Sequence, residues 1–460
     1  MADRFDVIIV GGRCAGSPLA ALLARQGLSV AVVERAAFPK DTLSTHIFQA
    51  PAINFLRRLG VLERVRQTGA RMCNRVDLRQ EDFHGSFDVA RRSGDEGAFM
   101  SVRRFVLDPI LLDAAADAGA ETLMSTTVVG LVRDGGRVVG VRTASDGAQR
   151  TLLAKLVVGA DGRNSTVAPM VGARKYNVTP GERFGYWRFF ADADPGPDPP
   201  VIYHRWEGRF VIGMPSDAGL YQVILLPDMM FLNEFRRDRE VAFMDHMRAC
   251  SPVAATLTRA RAEGKMLGML RFESFLREPS GPGWALVGDA GHFKDPAPGQ
   301  GISDAFRQVE ALAPIIVRAI HEAPETLDEE LAAWARWRDR DAAEHYWLAA
   351  DFGAAGRAPA TVVEVTRRLY EHGRTEELGD VFMHRRKPST VFAPPLVIRA
   401  TAAALRRPGA DRGQVLREAR QLVATDGRRR RLNRRPDYVA LEAHRDAGET
   451  EVAEEVAAST

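Results

Sequence analysis

The sequence predicts an α/β protein: a doubly wound parallel sheet, an inserted antiparallel β-sheet domain, and a helical C-terminal region. Three observations predict it. A glycine-rich turn, Gly11-Gly12-Arg13-Cys14-Ala15-Gly16, follows an apolar run near the start of the chain. Two later apolar runs end in paired acid and glycine, Asp161-Gly162 and Gly288-Asp289. Between those pairs, residues 184–226 change to short runs cut by turn residues, as antiparallel strands do.

Each element follows in order. Residues 5–34 form one βαβ unit: a buried strand to Val10, a helix through Pro18 to Arg25 ended by Gly27, and a parallel strand from Leu28 to Glu34. A helix over Pro51 to Leu59 has Gly60 as its cap. Ser101 to Gly119 reads as a helix with Leu107, Ile110, Leu111 and Ala114 on one face. Asp134-Gly135-Gly136 joins two strands into a hairpin. Gly185 to Phe190, Val201 to Trp206, Arg209 to Met214 and Leu220 to Leu226 make a meander. The parallel pattern returns at Trp284 to Val287, and helices follow. Thr326 and Glu329 read as a capping box ahead of Leu331, Trp334 and Trp337. The resulting division assigns 1–72, 101–175 and 276–345 to the nucleotide-binding domain, 73–100 and 176–275 to the sheet domain, and 346–424 to C-terminal helices. Residues 425–460 read as a disordered tail.

Composition narrows the function. The chain has 460 residues, 45% hydrophobic and 27% charged, the balance of a globular enzyme with more than one core. A net charge of +3 argues against a nucleic-acid binder. The run Arg428-Arg429-Arg430-Arg431 reads as a solvated segment. Cys14, Cys73 and Cys250 give neither a disulfide framework nor metal-ligand spacing, which suits a reducing cytoplasm. A strand begins almost at once, leaving no room for a signal peptide, and no apolar run approaches the ~18 residues of a membrane span. The expectation is a cytoplasmic protein without metal or integral membrane contact.

The motifs carry specific chemistry. A glycine-rich strand-to-helix turn lets backbone N–H groups and a helix dipole meet a pyrophosphate, the Rossmann-type arrangement. Glu34, about 20 residues on, is placed to accept from ribose hydroxyls. Arg13 stands where Gly-x-Gly-x-x-Gly has its second glycine; its side chain either lies beside the phosphates or points away. Asp289 ends a strand, where it can accept from a ribityl chain. Pro296-Ala297-Pro298-Gly299-Gln300-Gly301 then opens a helix whose N-terminus suits the negative charge of a reduced flavin.

These residues resemble the flavoprotein aromatic-hydroxylase superfamily, the single-component FAD monooxygenases, and the neighbouring geranylgeranyl-reductase-like flavoproteins. The resemblance covers roughly residues 5–345 and implies FAD. It places Gly11, Gly12, Gly16 and Glu34, with Arg13 and Arg35 beside them, at the ADP half of the cofactor. Arg104 matches an arginine that contacts the cofactor from a helix start, and Asp161 and Gly162 match a motif tied to both FAD and nicotinamide. Asp289, Pro296, Gly299, Gln300 and Gly301 match the ribityl and flavin-edge motif. The implied reaction uses NAD(P)H to reduce the flavin and O2 to form a C4a-hydroperoxide. One oxygen atom then passes to a small organic substrate, aromatic or polycyclic. Reduction of an isoprenoid double bond, or a purely structural FAD, are the rival readings. His46 is the catalytic candidate, as a donor to oxygen or substrate, against a role bonded to backbone; His292 reads as structural. Of Tyr186, Trp187, Arg188, Tyr203, His204 and Trp206, alternation sends about half toward the substrate, while each taken singly reads as core packing.

Overall fold

A computed structural model describes residues 3–440 of the chain. The parallel strands run 284–286, 148–159, 3–10, 30–33 and 121–123 in spatial order; 280–281 joins 284–286 antiparallel, and the hairpin 127–145 joins strand 148–159 antiparallel. Strand Asp3–Val10 lies between two parallel neighbours, so its last residues Val7, Ile8, Ile9 and Val10 are buried on both faces, as β-branched runs in such sheets are. Helix Gly16–Ala24 packs on one face with Leu19, Leu23 and helix Gly301–Ala319.

Two expected helix starts are corrected. Phe99–Ser101 is a strand paired with Ile47–Gln49, and the helix begins only at Arg104. Thr326 and Glu329 form no capping box, because the helix Pro324–Gly353 starts earlier, with Pro324 at its first position. Proline's fixed φ and missing N–H suit that position.

The second large sheet has the order 261–269, 185–191, 221–227, 209–215, 201–206, 75–80, 83–88. Residues 184–226 are therefore not a simple meander: Gly185–Ala191 pairs with Tyr221–Pro227, and Val201–Trp206 pairs in parallel with Arg75–Gln80. One face packs on local helices through Tyr186, Phe190, Val223 and Phe243. The other, with Trp187, Tyr203, Ile212 and Ile224, closes over Ile47, Phe99 and Ala297 and under the C-terminal helices. At the outer edge the register of strand Arg261–Met269 shifts opposite Trp187 and Phe189, where Gly264 has φ +66.

The tail also needs correction. Residues 425–434 belong to the helix Arg412–Arg434 rather than to a disordered segment. Arg429 makes a two-pronged ion pair with Asp351 at 2.7 Å, and Asn433 accepts from Trp347 Nε1 at 2.8 Å. Tyr438 then packs 5.2 Å from Tyr176. Residues 441–460, also expected to be disordered, lie outside the described residues. Among the described residues no helix is long and apolar enough to cross a membrane, and no His/Cys/Asp/Glu cluster could hold a metal.

Candidate functional site

Register brings the separated motifs together. Val33, Val10, Gly159 and Leu286 form one row across four parallel strands. Glu34, Gly11, Asp161 and Asp289 follow that row, so all four lie at the carboxyl edge of the sheet. That edge is where open α/β sheets bind ligands.

The turn itself demands glycine. Gly11 has φ +104, and a Cβ there would sit 2.5 Å from the Ala160 carbonyl oxygen; at Gly16 it would sit 1.8 Å from the Gly11 oxygen. Glu34 is buried and accepts from the N–H groups of Gly12 at 2.8 Å and Ala36 at 2.9 Å. Arg35, beside it, is exposed.

Arg13 neither points to solvent nor stands free. Its guanidinium pairs with Asp108 at 2.7 Å and lies over the Phe38 ring. Arg104 grips the same carboxylate through Nε at 2.6 Å and Nη2 at 3.1 Å. Burial works against the charge on Arg104, but Asp108 outweighs it and raises the guanidinium above its ordinary range. Asp108 went unnoticed in the sequence, although its i,i+4 spacing from Arg104 was there to read.

Arg104 also fixes His46. Its backbone N–H donates to His46 Nδ1 at 3.0 Å, so the ring proton of the neutral imidazole sits on Nε2. Burial, with the charge of Arg104, pushes the ring down to about 3. Nε2 is buried without a partner, and the ring stands edge-on to Phe189 at 5.2 Å.

Asp161 turns back on its own loop, with Oδ2 accepting from Thr166 N–H at 2.7 Å and Val167 N–H at 3.1 Å. Gly162, at φ +80, permits that turn. Asp289 has no such occupation: its Oδ1 lies 4.0 Å from where a Cβ on Gly301 would stand. Burial raises its carboxyl to about 6, with Arg104 pulling the other way.

The loop from Pro296 to Gly301 is held from several sides. Gln49 donates to the Gly299 carbonyl at 3.0 Å, and Gly299 takes φ +70 against Ile47. Gln300 uses its side chain within the protein, accepting from Lys294 Nζ at 2.7 Å and donating to the Phe382 carbonyl at 2.9 Å. Lys294 also pairs with Asp304 at 2.6 Å, and His384 approaches the other oxygen of Asp304 at 3.2 Å. Burial would raise the Asp304 carboxyl, but Lys294 and His384 overcome it and hold it well below the carboxylate range. No sequence signal joined Lys294, Asp304 and His384. His292 accepts from Gln308 at 3.2 Å, and Gln308 in turn accepts from Gly288 N–H, so this histidine braces the Gly288 turn.

This edge fits a dinucleotide on the structure's own terms. The turn tolerates no Cβ at Gly11 or Gly16, a cationic pair stands beside it, and Asp289 is a half-buried carboxylate with no hydrogen-bond partner among the described residues.

A family model described as FAD binding domain matches residues 4–337. The chain is 27% identical over 330 residues to the 6-methylpretetramide 4-monooxygenase of Streptomyces rimosus, covering 68% of this chain and 76% of that protein. It is 25% identical over 357 residues to the digeranylgeranylglycerophospholipid reductase of Methanothrix thermoacetophila, covering 73% and 83%. Its fold matches the myxobacterial chondrochloren halogenase with a TM-score of 0.68 at 21% identity, over 86% of this chain and 97% of that one.

Proposed function

The chain belongs to the FAD binding domain family and is an FAD-dependent oxidoreductase, and from that premise we propose that it is a monooxygenase using NAD(P)H and O2. Its substrate is a small aromatic or polycyclic compound that it hydroxylates or epoxidises. One observation carries this reading: the loop 296–301, which follows Asp289, packs through Ala297 with the buried apolar sheet face of Trp187, Ile224, Ile212 and Tyr203. A substrate placed between them is shielded from water, as oxygen transfer requires. The similarity to a monooxygenase of 6-methylpretetramide supports the same class.

Bound FAD supplies the electron transfer and O2 activation; the chain supplies position and charge. On this reading Gly11, Gly12 and Gly16 admit the pyrophosphate, Glu34 accepts from the adenosine ribose, and Asp289 accepts from the ribityl hydroxyls. Arg13 and Arg104, sharing the single charge of Asp108, leave one net positive charge at the turn. Arg35 reaches the ADP half from the surface, and Asp161 and Gly162 shape the neighbouring turn. Pro296, Gly299, Gln300 and Gly301 aim the helix N-terminus at the flavin edge. His46, neutral and holding its proton on Nε2, donates to substrate or to the transferred oxygen. Residues 73–100 and 176–275 act as one substrate-facing unit, supported by the pairing of Arg75–Gln80 with Val201–Trp206.

The test is a screen of organic compounds against the FAD-loaded protein with NADH or NADPH under air. The expected result is a compound that accelerates nicotinamide oxidation and O2 uptake together and gains one oxygen atom. Alkene reduction under nitrogen would replace the monooxygenase with the reductase. A flavin that no donor reduces would leave only a structural role.

A further inference from the structure

The basic run near the C-terminus acquires a definite face once it is folded. Helix Arg412–Arg434 is tied down along one side: Glu418 accepts from the Ala360 N–H at 2.9 Å, Arg429 holds Asp351, and Val415 and Leu432 turn inward. The opposite side is thereby fixed outward. Leu416, Arg420, Val423, Gly427, Arg431 and Arg434 recur every three or four residues and so share that side. Leu416 is 45% and Val423 71% exposed. A single exposed apolar side chain is ordinary. Here two stand in line with each other and with the arginines.

Charge is concentrated on the same helix. Residues 412–435 hold nine arginines and two acids, a surplus larger than the +3 of the whole chain, so the rest of the chain is net negative. Both acids are engaged, Glu418 with Ala360 and Gln414, and Asp426 with Arg430 at 2.8 Å. Arg417, Arg420, Arg428, Arg431, Arg434 and Arg435 are exposed and have no acid partner among the described residues. The helix has 23 residues, which makes a cationic edge about 34 Å long. Beside it, helix Pro394–Ala404 buries Ala400 and Ala404 and leaves Ile398 and Arg399 exposed.

The two kinds of side chain together select the partner. A nucleic acid would answer the arginines and leave Leu416, Val423 and Ile398 in water. A bilayer with anionic headgroups answers both, with phosphates for the guanidinium groups and the acyl boundary for the apolar side chains. We propose that this face of helix Arg412–Arg434 docks flat on an anionic lipid surface. The contact is peripheral and reversible, carried mainly by charge, and its residues are none of those at the cofactor edge.

Cosedimentation of the full-length, FAD-loaded protein with lipid vesicles tests this, with flavin absorbance in the pellet as the readout. Vesicles of phosphatidylglycerol and phosphatidylcholine in equal parts should carry the protein down at low salt, and vesicles of phosphatidylcholine alone should not. Salt at about 1 M, where the screening length is about 3 Å, should release it. Changing Arg420, Arg431 and Arg434 together to glutamine should lower the partition roughly a hundredfold, about fivefold for each charge. Leu416→Ser combined with Val423→Ser should lower it about tenfold. All five positions are exposed, so flavin content and melting temperature should stay as in the wild type. No sedimentation with the anionic vesicles, equal sedimentation with both kinds, or undiminished binding by the arginine variant would each overturn the proposal. Indifference to the Leu416 and Val423 changes would mean that any polyanion suffices, which overturns the choice of lipid. Residues 441–460 carry six acids against one arginine. Binding that appears only when those six acids are changed to glutamine would make this segment the occupant of the face and overturn the proposal as well.

Discussion

Asp289 is the residue on which cofactor retention turns. Its carboxyl is raised to about 6 by burial, so without FAD it takes up a proton as the pH falls through that value. A ribityl hydroxyl donates more strongly to the ionised form, so FAD binding favours release of that proton. FAD affinity should be flat above pH 6 and fall below it, by at most about tenfold per pH unit for one proton. Asp289→Asn should bind weakly at every pH and lose the dependence, as flavin fluorescence in an equilibrium titration would show. A wild-type profile flat from pH 5 to 8 would displace Asp289 from the cofactor. The neighbouring residues show what one sequence reveals. Glu34 and Arg104 stood out because motif spacing marks them. Asp108 did not, because an acid inside a helix reads as a solvent-facing residue until two arginines are seen to converge on it. Lys294 and His384 lie 90 residues apart in the chain, and only folding joins them through Asp304.

Elements were legible where periodicity was strong and misplaced where context decided. The strands of residues 185–227 were readable from alternation, but the order of pairing was not, since Arg75–Gln80 enters the sheet from a distant segment. The final helix was missed because nine arginines between 412 and 435 outweighed its few apolar residues. What holds it is specific: Arg429 on Asp351, Asn433 on Trp347, and Leu432 against the Tyr176 and Trp347 cluster. Deleting residues 441–460 should leave the melting temperature unchanged. Deleting from 428 onward should lower it by several degrees, because it strips these contacts and uncovers Trp347. Differential scanning fluorimetry compares the two, and equal melting temperatures would mean that the docked helix contributes nothing to stability.

At the scale of the whole molecule, the buried cluster under the second sheet draws on Ile47, Phe99, Tyr203, Ala297, Phe382 and Ala400, so its parts are not separable. Flavin release, loss of near-ultraviolet dichroism and loss of helical signal should share one thermal midpoint. A sheet domain that melts several degrees before the flavin is released would show two independent units instead. The same large sheet must also end somewhere. Its outer strand Arg261–Met269 leaves backbone donors and acceptors facing outward, the kind of border on which a second molecule can add a strand and start a fibre. Exposed Arg261, Glu263 and Lys265, with the register shift at Gly264, make that border charged and irregular. Replacing those charges by valine and threonine would create a sticky rim, and the first sign would be insolubility on concentration while each molecule still carried its flavin.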